Sequence, residues 1–168
     1  MFIENLQLKN FRNYFDNKWS FNKKHNIILG PNGAGKTNFL EALYFLSFGR
    51  SFRTNTDSHI VKKNTSGFYI KGKYHHNSNN TIEISYYNKE KKIKYNNKPI
   101  LRKELFSHLK TVLLDSDDIF LVKGSAVYRR KYLDIILSQT DTQYLEAYIK
   151  YNSLLKQKNV VLKKKILI

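Results

Sequence analysis

Phe2, Leu6 and Leu8 stand among Asn5, Gln7 and Lys9, an imperfect alternation that predicts a strand over residues 2–9. Tyr14 to Phe21 predicts its partner, with the turn at Asn10 to Asn13 between them. Ile27-Ile28-Leu29 is a short continuous apolar run, the pattern of a strand buried on both faces. Beyond a glycine-rich hexapeptide, Phe39, Leu43 and Leu46 fall at i, i+4 and i+7, with Leu40 and Tyr44 beside them. That spacing predicts a helix from Lys36 to Phe48, and Gly49 is placed to end it. Arg50 to Asn64 is polar and irregular.

From Phe68 the period changes to two. Phe68, Ile70, Gly72 and Tyr74 share one face, and Ile82, Ile84 and Tyr86 alternate with Glu83 and Ser85. His75 to Asn80 reads as a polar hairpin loop and Asn96-Asn97 as a second turn. A small antiparallel sheet is therefore expected over residues 65–100, inserted after the first helix. Thr111 to Leu114 predicts a further strand, and Ser125 onward a helix. Tyr144, Tyr148, Tyr151, Leu155 and Leu162 then keep a 4-3 spacing, with Lys158 in the remaining slot. About two and a half heptads fit the start of a coiled coil and an amphipathic helix packed on a globular body equally well.

Composition narrows the class. The 168 residues are 41% hydrophobic and 14% aromatic, enough to bury a core in one domain or a piece of a larger one. The richest apolar run, Ala42 to Phe48, is far short of the roughly 18–20 residues of a membrane span. Met1 to Asn10 carries Glu4 where a secretory signal has a basic head and an apolar block, so a soluble cytoplasmic protein is expected. With no cysteine, disulfide scaffolds, thiolate zinc sites and cysteine nucleophiles are excluded.

The net charge of +17 points to a polyanion such as nucleic acid. Yet 24 Lys against 6 Arg, with 18 Asn and only 4 Ala, has the look of AT-rich coding, in which lysine accumulates on solvated surfaces. Against that background the rarer residues inform most. Arg12, Arg50, Arg53 and Arg129-Arg130 stand out, and three of the seven glycines crowd with Pro31 into one hexapeptide.

That hexapeptide opens Gly30-Pro31-Asn32-Gly33-Ala34-Gly35-Lys36-Thr37, which satisfies the phosphate-loop pattern of Gly, four residues, then Gly-Lys-Thr. Glycines allow positive φ, so backbone N–H groups can curl round phosphates, and the following helix points its positive end at the same anion. Lys36 can reach β and γ oxygens, and the Thr37 hydroxyl is placed to ligate Mg²⁺. The whole loop is a candidate ATP site. Hydrolysis further requires an acid at a strand end. Val112-Leu113-Leu114-Asp115 comes nearest, but Ser116-Asp117-Asp118 follow, which also reads as a loop and helix cap. His25, His59, His75, His76 and His108 lack metal-ligand spacing and read as surface residues.

Taken together, Leu8-Lys9-Asn10-Phe11-Arg12-Asn13-Tyr14 and the run GPNGAGKTNFLEALYFLSFGRSFRT from Gly30 to Thr54 resemble the start of the RecF family of DNA replication and repair proteins. Asp117-Asp118-Ile119, Val122 to Ser125, Arg129-Arg130 with Leu133-Asp134, and Tyr144 to Tyr148 extend the likeness over nearly the whole chain. The resemblance implies an α/β fold, the N-terminal lobe of a P-loop, SMC-like ABC ATPase head. The head would occupy residues 1–140, with the inserted β subdomain at 65–100 and the start of a helical arm at 141–168. It implies ATP and Mg²⁺ as cofactors, Arg12 near the nucleotide, and an ATP-dependent homodimer in which each nucleotide meets the partner head's signature motif.

By the same resemblance the partners are single-stranded or gapped DNA and the RecO and RecR proteins, in replication, recombinational repair and the SOS response. Arg50 and Arg53, with Lys62 and Lys63, are the candidate DNA contacts. Ser116-Asp117-Asp118 replaces the family's usual Pro-Glu-Asp, and Ala126-Val127 follows Gly124-Ser125 where Pro and a small polar residue are usual. The family's chains are about twice as long, their second half carrying the signature, the Mg²⁺ acid and the catalytic glutamate. Hydrolysis by this chain alone is therefore not expected. The alternatives are a nucleotide-binding subunit of a membrane transporter and a decayed fragment without activity.

Overall fold

Strand β1 (Phe2–Phe11) turns at Arg12-Asn13 and pairs antiparallel with β2 (Tyr14–Ser20), from Phe11↔Tyr14 to Asn5↔Ser20. The computed structural model describes residues 1–165; residues 166–168, the end of the expected helical arm, and the side chains of Asp117, Lys164 and Lys165 lie outside the described residues. Two compact units make up the chain, Met1–Thr111 and Val112–Ile168.

In the first unit, helix α1 (Lys36–Phe48) starts and stops as the sequence predicts, ending in a left-handed Gly49 at φ 59° whose N–H bonds the Phe45 carbonyl. Strands β3 (Gly67–His76), β4 (Ser78–Tyr87), β5 (Glu90–Tyr95) and β6 (Lys98–Pro99) follow as a meander. They are the antiparallel strands expected for 65–100, and the sheet they form is continuous with the first hairpin. Strand β3 pairs with the free edge of β1, so all six strands form one sheet in the order β2-β1-β3-β4-β5-β6. Strand β1 offers a second row of unpaired backbone groups, and β3 satisfies them while bringing its apolar face into line. The hairpin between β3 and β4 is also tighter than the predicted loop. Pairing continues from Tyr74↔Asn80 to His76↔Ser78, leaving only Asn77 as a left-handed turn residue at φ 60°.

One face of the sheet supplies Leu6, Leu8, Ile70, Ile82, Ile84 and Ile93 to the core, against Phe39, Ala42, Phe45 and Leu46 of α1. Phe11, Phe45 and Phe68 meet edge to face at 5.5–6.3 Å. Gly72 lets the helix approach: a Cβ there would lie 2.4 Å from Leu46 Cδ1. The buried side of α1 is wider than its apolar spacing suggested, taking in Glu41, Phe45 and Phe48, while Leu40 is 41% exposed.

Two predicted strands are absent among the described residues. Ile27-Ile28-Leu29 forms no ladder there, and Ile27 and Leu29 are 82% and 86% exposed. Val112 and Leu114, in the second run, are 71% and 80% exposed and likewise form no strand. An apolar run becomes a strand only where another strand accepts its backbone bonds, and none of the six described strands pairs with either run.

In the second unit a turn at Ser116–Ile119 leads into α2 (Phe120–Lys123), α3 (Ala126–Thr140) and α4 (Thr142–Lys165). Asp141 caps α4, accepting from the backbone N–H groups of Gln143 and Tyr144 at 2.8 and 3.2 Å, and the Tyr144 hydroxyl donates to Asp134 on α3 at 2.5 Å. That bond, ahead of desolvation, raises the Tyr144 pKa. Leu145 is buried, but Ile149, Tyr151, Leu154 and Leu155 are exposed, so the apolar stripe of α4 covers little beyond its first turns.

Candidate nucleotide-binding site

Gly30 to Gly35 leads into the N-terminus of α1, with Gly33 at φ 81° and Gly35 at φ 104°, conformations that disfavour any side chain. At Gly35 space matters as well: a Cβ would stand 2.5 Å from Asn13 Nδ2. Asn13 can therefore lie flat against the loop. Its Nδ2 donates to the Ala34 carbonyl at 3.1 Å, and the Tyr14 hydroxyl donates to the Gly35 carbonyl at 3.1 Å. Burial raises the pKa of that tyrosine, keeping the O–H a donor. The β1–β2 turn thus buttresses the phosphate loop from behind.

Lys36 closes the loop from within. Its Nζ donates to the carbonyls of Gly30 and Pro31 at 2.7 and 2.9 Å. Thr37 is exposed at the first turn of the helix. Glycine-permitted backbone, one ammonium and one hydroxyl at a helix N-terminus form the donor set of a nucleoside triphosphate and its Mg²⁺, so the residues present fit both groups.

Behind the loop lies a polar cluster that sequence reasoning missed. Glu41, one and a half turns into α1, is fully buried. Arg12 grips it with two donors, Nε to Oε2 at 3.0 Å and Nη2 to Oε1 at 2.7 Å, while Nη1 donates to the His59 carbonyl at 2.8 Å. The Ser51 hydroxyl donates to Oε1 at 2.5 Å, and Arg53 Nη1 lies 3.6 Å from Oε2. Arg53 also donates to Asn38 Oδ1 at 2.8 Å, and Asn38 donates to Asn13 Oδ1 at 2.9 Å. A continuous chain of bonds thus runs from buried Glu41 to the phosphate-loop backbone. The sequence did hold a signal: one carboxylate within the apolar run FLEALYFLSF is costly to bury unless a cation meets it.

The structure places the other candidates unevenly. Arg12 lies next to the loop's support but spends its polar atoms on Glu41 and His59. Lys62 donates to the Asn13 carbonyl at 2.8 Å, so it and Arg53 belong to the same internal network. Arg50 sits against Tyr44, whose pKa is raised by burial in spite of Arg50 and Arg102 nearby, and Lys63 is exposed. Of the four, Arg53 and Lys63 are exposed, the Arg53 side chain by 44%. Asp115 lies outside any strand, its N–H bonding Asp118 Oδ2 at 2.6 Å. Among the described residues no group of three or more His, Asp or Glu could hold a metal ion, and no helix is long and apolar enough to cross a membrane.

Comparison with known proteins agrees with this geometry. The RecF/RecN/SMC N-terminal domain pattern matches residues 2–159. The DNA replication and repair protein RecF of Clostridioides difficile is 39% identical over 97% of this chain and 44% of its own length. That of Protochlamydia amoebophila is 36% identical over 98% of this chain and 46% of its own. Among solved structures, the recombination mediator protein RecF-ATPrS of the RecFOR pathway superposes with a TM-score of 0.90 at 35% identity, over 97% of this chain and 45% of that one. An SMC ATPase studied for ATP-driven dimerization shares the fold, with a TM-score of 0.66 at 24% identity over 81% of this chain and 99% of that one. The chain spans less than half the length of the RecF proteins it matches. With its phosphate loop, supporting turn and sheet all matched, the chain belongs to the RecF/RecN/SMC N-terminal domain family.

Proposed function

We propose that this chain is the ATP-binding N-terminal part of a RecF-type head that acts on DNA in replication and recombinational repair. The observation that carries the reading is Lys36, held over the Gly30 and Pro31 carbonyls at the mouth of a loop braced by Asn13 and Tyr14. Its ammonium exchanges those two bonds for the β and γ oxygens of ATP, while loop N–H groups and the start of α1 face the same phosphates. Thr37 would hold Mg²⁺, which when bound neutralises charge between the β and γ phosphates. Arg12 serves the nucleotide by position, through Glu41 and the turn that carries Asn13. A solved RecF-ATP structure at 36% identity and a TM-score of 0.87 supports ATP as the nucleotide.

The same reading proposes an ATP-dependent pair of heads, gapped or single-stranded DNA and RecO and RecR as partners, a part in the SOS response, and a cytoplasmic setting. Turnover needs groups beyond these residues, so the chain binds ATP without hydrolysing it above background. Titration of a fluorescent ATP analogue with Mg²⁺ tests the site. Removing the charged donor of Lys36→Ala costs about 1.5–3 kcal/mol, a tenfold or greater loss of affinity. Equal affinity of wild type and variant would sink the assignment.

A further inference from the structure

The phosphate loop is braced at both flanks and free at its crown. Lys36 holds the carbonyls of Gly30 and Pro31, while Asn13 and Tyr14 hold those of Ala34 and Gly35. The Ala34 N–H reaches back to the Pro31 carbonyl at 3.3 Å. Asn32 and Gly33 stand between these anchors, both exposed, and among the described residues neither the Asn32 amide nor the Gly33 N–H has a hydrogen-bond partner. Gly33 has open space where a Cβ would sit, with nothing within 4 Å. The two form the one Asn-Gly step in a chain of 18 asparagines. Several other asparagine amides are held: Asn26 donates to the Asn22 carbonyl at 2.9 Å, and Asn152 to the Tyr148 carbonyl at 2.8 Å.

An asparagine followed by an unhindered glycine has a nucleophile beside it. The Gly33 nitrogen gives up its proton to solvent and bonds to Asn32 Cγ, the Cγ–Nδ2 bond breaks, and ammonia leaves with a proton taken from water. Water then opens the cyclic imide at either carbonyl, giving aspartate or isoaspartate. Either product is costly at this position. The first turn of α1 holds no acid, and the Lys36 ammonium already reaches the adjoining Pro31 carbonyl at 2.9 Å. A carboxylate at position 32 sets negative charge against the triphosphate and competes with it for that ammonium. Isoaspartate also lengthens the backbone by a methylene inside the loop, displacing N–H groups that face the phosphates.

We propose that Asn32 is a deamidation site whose conversion closes the phosphate loop to nucleotide, and that bound nucleotide protects it by engaging the loop N–H groups. The protection rests on the ATP reading above; the conversion does not. The test incubates the whole chain at neutral pH and physiological temperature, with and without Mg²⁺ and ATP, and follows position 32 by peptide mapping and isoaspartate-specific methylation. Without nucleotide, acid should accumulate at Asn32 ahead of Asn77 and Asn152, each of which is followed by serine. ATP at about ten times its Kd leaves about one chain in eleven open, so conversion should slow about tenfold in wild type but only about twofold in Lys36→Ala. Converted chains should bind the fluorescent ATP analogue about tenfold more weakly or worse. Asn32→Asp should show that loss from the start, and Asn32→Gln should keep through the incubation whatever affinity it begins with. Conversion at Asn32 no faster than at Asn77, or converted chains that bind as fresh ones do, would overturn the proposal. Fresh wild type that fails to bind the analogue would count against the nucleotide reading. Fresh wild type that binds it, yet converts equally fast with ATP present, would overturn the protection while the nucleotide site stands.

Discussion

Arg12 and Glu41 lie 29 positions apart in sequence and meet through two parallel hydrogen bonds, with the carboxylate fully buried and the guanidinium side chain 20% exposed. The pair ties the β1–β2 turn to the helix that follows the phosphate loop. Arg12 adopts a left-handed backbone at φ 55°, which its N–H bond to the Ile60 carbonyl at 2.7 Å helps to hold. Breaking one half of such a pair leaves an uncompensated buried charge. Arg12→Ala should lower the unfolding free energy by about 3 kcal/mol, and adding Glu41→Ala should cost less than the two single changes summed. Urea unfolding of the four proteins measures the coupling; additive losses would mean that the bonds contribute nothing beyond packing.

The glycines of the loop should not respond alike. Gly35→Ala forces a Cβ to within 2.5 Å of Asn13, whereas Gly33→Ala meets nothing within 4 Å and bears only the strain of φ 81°. Nucleotide affinity should therefore fall further for Gly35→Ala, and Asn13→Ala in the same chain should restore part of it. If Asn13→Ala leaves the Gly35 variant unchanged, the turn does not brace the loop.

Gly72 is where the sheet admits Leu46. Gly72→Val should destabilise the first unit by about 1–3 kcal/mol through overpacking, and the companion change Leu46→Ala should recover part of that loss. Thermal melts of the two variants check both signs. A neutral Gly72→Val would mean that helix and sheet stand farther apart than the close approach requires.

His108 stacks on Tyr95 with ring centroids 3.8 Å apart. Burial lowers its pKa from the ordinary 6.5, against a smaller opposing pull from Glu104. A depressed folded pKa means that the unfolded chain binds the proton more readily, so the stabilisation is complete above pH 6.5 and is lost as pH falls through the folded value. Melting temperature should drop between about pH 7.5 and about pH 5, the range that brackets the ordinary histidine titration, and His108→Phe should make that drop shallower. Identical pH profiles would remove His108 from the account.

Ile27 and Leu29 are exposed, so Ile27→Asp should change the stability of this chain by no more than about 0.5 kcal/mol. A loss of several kcal/mol on chemical unfolding would show that the run is buried after all.

What the sequence determined by itself is local. Gly30 to Thr37 reads as a phosphate loop because its chemistry is backbone conformation and adjacent side chains, and it stands where it was expected. Helix α1 and its Gly49 cap, the β1–β2 hairpin and the two-residue alternation of β3 and β4 were legible for the same reason: each pattern reports a neighbour within a few residues. Tertiary structure decided everything that depends on a distant partner. Ile27-Ile28-Leu29 has the pattern of a buried strand, yet a ladder needs a second chain segment, which the pattern cannot supply. The alternation of β3 showed which of its residues face inward but not that β1 would receive it. The charges of Arg53 and Lys62 are visible in sequence but their partners are not: Asn38 and Glu41 meet the first, and the Asn13 carbonyl the second. The lysines on the far side of the sheet looked like scattered surface charge until the register of five strands set them in rows.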